Sequence, residues 1–179
     1  MDVLINSIKE VSVIGSSPVI FILAFLAVAY FFVRRDYLRI LTLVLSFCSG
    51  IYSTLLKGIF EEGRPVGYTS VGFIPWDKIL VWEGFSFPST HTVLYTVFFG
   101  YLFYLSYKLK NVDKLLQHTV RIASAILVVF VGISRILLGA HFVKDVVFGY
   151  FFGAVYLAAL IIGERFWEQR RARKLLKHK

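Results

Sequence analysis

Two histidines stand among residue types that would let them work on a phosphoryl group. His141 and Asp145 are four residues apart, a spacing that puts both side chains on one face of a helix. The carboxylate can then fix one imidazole nitrogen and leave the other basic, which is the base-and-orienter pairing of an activated nucleophile. His91 closes the run Pro88-Ser89-Thr90-His91. Proline near a first turn, with Ser89 as a cap, predicts a helix start whose open amides at Thr90 and His91 form an anion site. Lys57, Arg64 and Arg135 add three cations with no acidic partner required by the pattern. Three cations, a helix amino terminus and two imidazoles suit a phosphate better than a carboxylate. A metal reading of His91 with His141 lacks enough further ligands at plausible spacing, so neither metal nor cofactor is expected.

Taken singly, these residues have structural alternatives. Lys57 and Arg135 could be end caps that snorkel to the interface, and His141 with Asp145 an interfacial hydrogen-bonded pair. Their common level argues for a joint role. Lys57 closes one apolar run, His91 opens the next, Arg135 closes another, and His141 with Asp145 opens the last. Ionisable groups near membrane depth are costly and mark functional sites.

The elements that must position them are membrane helices. Of 179 residues, 58% are hydrophobic, more than the core of one small globular domain can bury. Five stretches approach the length of about 20 apolar residues that a crossing needs: Ser17 to Val33, Leu38 to Phe60, Pro88 to Tyr107, Thr119 to Leu138 and Phe142 to Gly163. Ahead of them, apolar residues at helical spacing over Met1 to Ile14 predict an amphipathic helix at the interface. A cleaved signal peptide fits less well, because Arg34-Arg35-Asp36 follows the apolar run where small residues should stand. The predicted fold is an all-α integral membrane protein of about five transmembrane helices plus that amino-terminal helix. It reads as one domain, 1–179, with an interfacial helix in 1–16, an outer loop at 61–87 and a basic cytoplasmic tail at 164–179.

Charge orients the bundle. The net charge is +9, but the cations sit at the ends of apolar segments instead of along one polar face, which argues against nucleic acid as a partner. With the amino terminus outside, only Lys9, Lys57, Arg64, Lys78, Arg135 and Lys144 of the 20 basic residues lie on the outer side. The opposite orientation would place most of them outside, against the retention of Lys and Arg in the cytoplasm. The tail RRARKLLKHK reads as a stop-transfer anchor on anionic lipid. The one long connection, Glu61 to Phe87, carries Trp76 and Trp82, which suit the headgroup layer. The single Cys48 reads as a small buried hydrophobe. Nothing in the pattern specifies an oligomeric state.

These residues resemble the type 2 phosphatidic acid phosphatases, a superfamily of membrane lipid phosphatases that also includes soluble acid phosphatases and vanadium haloperoxidases. Its three motifs correspond in order to KGIFEEGRP at Lys57 to Pro65, PSTH at Pro88 to His91, and SRILLGAHFVKD at Ser134 to Asp145. The one departure is Thr90, where the family usually has glycine. The resemblance implies His141 as a nucleophile that forms a phosphohistidine, with Asp145 orienting it. It implies His91 as the acid that protonates the leaving oxygen and then the base that activates water. Lys57, Arg64, Ser89, Thr90 and Arg135 would hold the phosphate. The implied substrate is a lipid phosphate at the outer face of a bacterial cytoplasmic membrane, with lipid A 1-phosphate the first candidate. Undecaprenyl diphosphate, phosphatidylglycerol phosphate and phosphatidate follow. A lipid phosphotransferase would use the same residues, and a non-catalytic anionic-lipid binder or transporter would need them only for charge.

Overall fold

The computed structural model describes residues 18–66, 84–109 and 112–177. The expected helix in 1–16, the centre of the 61–87 connection with Trp76 and Trp82, and the last residues of the tail lie outside them. Among the described residues six helices follow in order: α1 Pro18–Val33, α2 Tyr37–Phe47, α3 Ser49–Phe60, α4 Thr90–Lys108, α5 Lys114–Leu137 and α6 Val143–Lys177. Among the described residues three stretches are long and apolar enough to cross a membrane: Tyr37–Phe60, Lys114–Leu137 and Val143–Leu176. The fold is an all-helical membrane architecture.

Local chemistry sets the breaks. α1 is apolar on every side, as a lipid-facing helix should be. It turns into α2 through Arg35 at φ +54, with Asp36 N–H donating to Phe31 O and Arg35 N–H to Phe32 O. This is the left-handed cap that satisfies a helix's last carbonyls. Asp36 then caps α2 by accepting from Arg39 N–H. The predicted second crossing is interrupted at Cys48, where the backbone tightens and Cys48 N–H reaches Leu45 O. The buried hydroxyls of Ser46 and Ser49 donate to Leu43 O and Ser46 O, each at 2.6 Å, and such bonds to the preceding turn bend helices.

α4 is the axis of the bundle. It packs against α2, α3, α5 and α6 and buries Val93, Val97, Phe98 and Tyr101 completely. α6 lies parallel to it through Gly149 and Gly153. A Cβ on either would come within 2.9 Å of Thr92 Cβ or 2.8 Å of Thr96 Cβ. Two glycines four apart therefore let the backbones approach, which fixes where the start of α6 meets the start of α4. α6 runs on through the predicted boundary at Gly163, so residues 164–177 continue as helix beyond it. At that far end the buried Glu164 accepts from Tyr101 and from Lys108 at 2.6 Å.

Candidate active site

α4 begins at Thr90, with Ser89 at the capping position. Contrary to the sequence reading, the Ser89 hydroxyl makes no cap. It accepts from Thr92 Oγ1 at 3.0 Å, while the Ser89 amide donates to Asp145 O at 3.0 Å. Ser89 is fully buried against α6, and that contact takes its backbone amide to the neighbouring helix. Pro88 lies just before the capping position, near the first turn as the sequence suggested. The amides of the first turn still have no carbonyl within the helix to receive them. Thr90, the departure from the family pattern, accepts from Ser53 Oγ on α3 at 3.0 Å.

The turn between α5 and α6 brings the other motif into place. Arg135 sits in the last turn of α5 and is 2% exposed. Gly139, at φ +64, closes that helix: its N–H donates to Ile136 O and that of Ala140 to Arg135 O. Glycine adopts this left-handed geometry without steric cost, and the reversal delivers His141 beside the turn it has just left. His141 is not on the helix, as its spacing suggested. α6 begins at Val143, and Asp145 Oδ2 accepts from Phe142 N–H at 2.9 Å, so the carboxylate caps the helix that carries it. The same oxygen lies 3.5 Å from His141 Nδ1. Asp145 is fully buried and His141 nearly so. Burial pushes the His141 imidazole down to about 4, against the pull of Asp145 and with help from Lys57 and Arg64. It is neutral at pH 7 and its second nitrogen points away from the carboxylate.

Lys57 closes α3 and is 6% exposed, which a snorkelling end cap would not be. Its Nζ donates to Phe85 O at 2.8 Å and Ser86 O at 3.2 Å, holding the chain that leads into α4. The two ends of the long connection also pair directly. Gly63 and Phe85 form an antiparallel bridge, Ser86 N–H donates to Glu62 O at 2.7 Å, and Ser86 Oγ to Gly63 O at 3.0 Å. Lys144 at the start of α6 makes an ion pair with Glu62. Arg64 follows this bridge and is half-buried.

The separate motifs thus meet at one end of the bundle. His91 is within electrostatic reach of Lys57, Arg64, Arg135 and His141, and His141 of Lys57, Arg64 and Asp145. Ser89 and Thr90 flank His91 at the start of α4. Sequence reasoning passed over Ser53, Ser86, Glu62 and the Gly149/Gly153 pair. Only the glycines carried a readable signal, small residues four apart in an apolar run. Among the described residues no three His, Cys, Asp or Glu side chains converge to hold a metal ion. Three cations and two imidazoles around one buried carboxylate can receive an anion, transfer a proton and present a nucleophile.

Comparison with known proteins gives a consistent picture. The family model described as the PAP2 superfamily matches residues 37–168. Phosphatidylglycerophosphatase B of Bacillus subtilis is 31% identical over 142 residues, 78% of this chain and 64% of its own length. Lipid A 1-phosphatase of Rhizobium johnstonii is 30% identical over 109 residues, 59% of this chain and 39% of its own. The chain thus spans less than two thirds of either relative. The crystal structure of a transmembrane PAP2 type phosphatidylglycerolphosphate phosphatase from Bacillus subtilis superposes with a TM-score of 0.73. It is 25% identical, and the match covers 92% of this chain and 78% of that one.

Proposed function

This chain belongs to the PAP2 superfamily, and on that premise we propose that it is a metal-independent lipid phosphatase working through a phosphohistidine on His141. The observation that carries the reading is the buried His141–Asp145 pair, 3.5 Å apart at Nδ1 and Oδ2, with Lys57, Arg64 and His91 around it. With Nδ1 facing the carboxylate, Nε2 attacks the phosphorus. The P–N bond forms as the bond to the leaving oxygen breaks, and His91 gives that oxygen its proton. A water then attacks the phosphohistidine, His91 takes the water's proton, and phosphate leaves as the P–N bond breaks. Lys57, Arg64, Ser89, Arg135 and the Thr90 amide hold the equatorial oxygens while charge redistributes, and positioned cations supply most of phosphoryl-transfer catalysis.

The bundle crosses the membrane five times in this reading, with α1 and α4 joining the three longer spans. The site faces the outer side of a bacterial cytoplasmic membrane, as the asymmetry of Lys and Arg favours. The substrate is a lipid that keeps its tails in the bilayer and offers a terminal phosphate at the helix ends. Phosphatidylglycerophosphate is the first to test, because the relative and the structure that match over most of this chain both carry that activity in their names. Lipid A 1-phosphate, first on the motif reading, stands second on the shorter match. Undecaprenyl diphosphate is third.

Phosphate release by the purified protein from these lipids, in detergent with chelator, tests the proposal beside His141→Asn. Chelator-resistant release from one lipid, lost by about a thousand-fold or more in the variant, is the expected result. Equal release by both proteins would overturn it, and phosphate passed to an added acceptor lipid in place of water would make the enzyme a phosphotransferase.

A further inference from the structure

At the end of the bundle away from His91 and His141, α4 and α6 leave a groove of about 650 Å³ between them. Its inner part is apolar, formed by Gly100, Phe103, Leu157 and Ile161, and its rim is polar, with Tyr104, Tyr107, Lys108, Arg165 and Glu168. The rim charges are not equivalent. Lys108 Nζ lies 2.6 Å from Glu164 and 2.7 Å from Glu168, which also holds Arg39 at 3.3 Å. Arg165 has no carboxylate within ion-pair distance among the described residues. Its Nε meets the Tyr104 hydroxyl at 3.4 Å, and Glu164 and Glu168 act on it only from further away. Arg121 on α5 stands outside the lining of the groove, next to its rim residue Tyr107: it lies 3.6 Å above that ring and bonds Ser106. It too lacks a carboxylate within ion-pair distance among the described residues.

We propose that this groove binds one anionic phospholipid, with its phosphate between Arg165 and Arg121 and one acyl chain along the apolar trough. The gradient from apolar depth to charged rim follows the gradient within a lipid, at the level where α4 ends and the bilayer interface lies. Planar guanidinium groups bind phosphate oxygens in pairs, and aromatic rings hold these two in place, so little ordering is lost on binding. A zwitterionic lipid would add a cation beside two guanidiniums. The inference rests on the membrane fold and not on the reaction proposed above, since none of these residues belongs to the His91–His141 end.

The test is native mass spectrometry of the full chain in detergent, titrated with phosphatidylglycerol or with phosphatidylcholine of the same acyl chains. Both are phosphodiesters without a terminal phosphate, so neither is a substrate for the proposed reaction. The wild type should retain one phosphatidylglycerol about five-fold more tightly than phosphatidylcholine. Arg165→Ala should weaken it about five-fold, Arg165→Ala with Arg121→Ala should remove the preference, and His141→Asn should leave it unchanged. Equal retention of the two lipids, a preference that survives the double variant, or one lost in His141→Asn would each overturn the proposal. So would a lipid-free dimer that the double variant breaks, which would make the groove an interface between copies.

Discussion

Each end of the bundle buries a polar cluster, and the two are balanced differently. Away from the histidines, the inner cations Arg39 and Lys108 meet Asp36, Glu164 and Glu168 in direct ion pairs that tie α2, α4 and α6 together, with Arg165 and Arg121 standing outside those pairs. At the histidine end, Lys57, Arg64, Arg135 and two imidazoles gather around Asp145, among the described residues the one fully buried carboxylate there. A cluster with carboxylates enough for its cations is complete by itself and serves the fold. One rich in a single sign raises the local concentration of the opposite charge, which here is an anion. Burial of charge alone therefore does not distinguish the two ends; among the described residues, the sign of the excess does.

If that contrast holds, damage at the two ends should have opposite signatures. The largest effect is expected from Asp145→Asn, which keeps an acceptor for the Phe142 amide but weakens the orientation of His141. Its kcat should fall about a thousand-fold with little change in Tm. Glu164→Ala removes the acceptor of the Tyr101 hydroxyl and leaves Lys108 with Glu168 alone at the far end; it should cost about 1–3 kcal/mol of stability, while kcat of the folded protein stays within about three-fold. Gly149→Ala drives a Cβ to 2.9 Å from Thr92 Cβ and 3.2 Å from Ser89 O. It should cost about 1–3 kcal/mol by overpacking and, unlike Glu164→Ala, also lower activity by shifting the two helix starts. Ser53→Ala removes the bond to Thr90. It should cost about 1 kcal/mol and raise KM more than it lowers kcat, if Thr90 offers its amide to the phosphate as proposed.

Acidity gives a finer version of the same contrast. The His141 imidazole is held at about 4 by burial, with Lys57 and Arg64 contributing. Lowering the pKa of a nucleophilic base keeps it neutral further into acid, so the acid limb of kcat/KM due to His141 should lie near pH 4. Removing a contributing cation with Lys57→Ala should move that limb upward. A limb left in place by that variant would count against the clustering of charge around His141.

Much of the architecture was legible from hydropathy, because apolar runs near the length of a bilayer have few other uses. The site residues stood out for the complementary reason that ionisable groups at the ends of such runs need an explanation. What the sequence hid depends on tertiary neighbours. Ser89 looked like a cap until α6 took its amide, and His141 looked helical until Asp145 capped the turn after it. Glu164 followed an apolar run and looked like the start of the basic tail, yet its partners Tyr101 and Lys108 lie about sixty positions earlier. Ser53 and Ser86 carry no local pattern at all. Their roles exist only where α3, α4 and the bridge at Gly63 and Phe85 meet.

The most direct test of the central claim is to trap the phosphoryl group. The protein would be mixed with phosphatidylglycerophosphate labelled in its terminal phosphate, quenched in alkali within milliseconds, and the label followed on the protein. Acid-labile label on the wild type, mapped to the peptide that holds His141 and absent from His141→Asn, is the result expected. Turnover with no label on the wild type, or label that persists in His141→Asn, would contradict it.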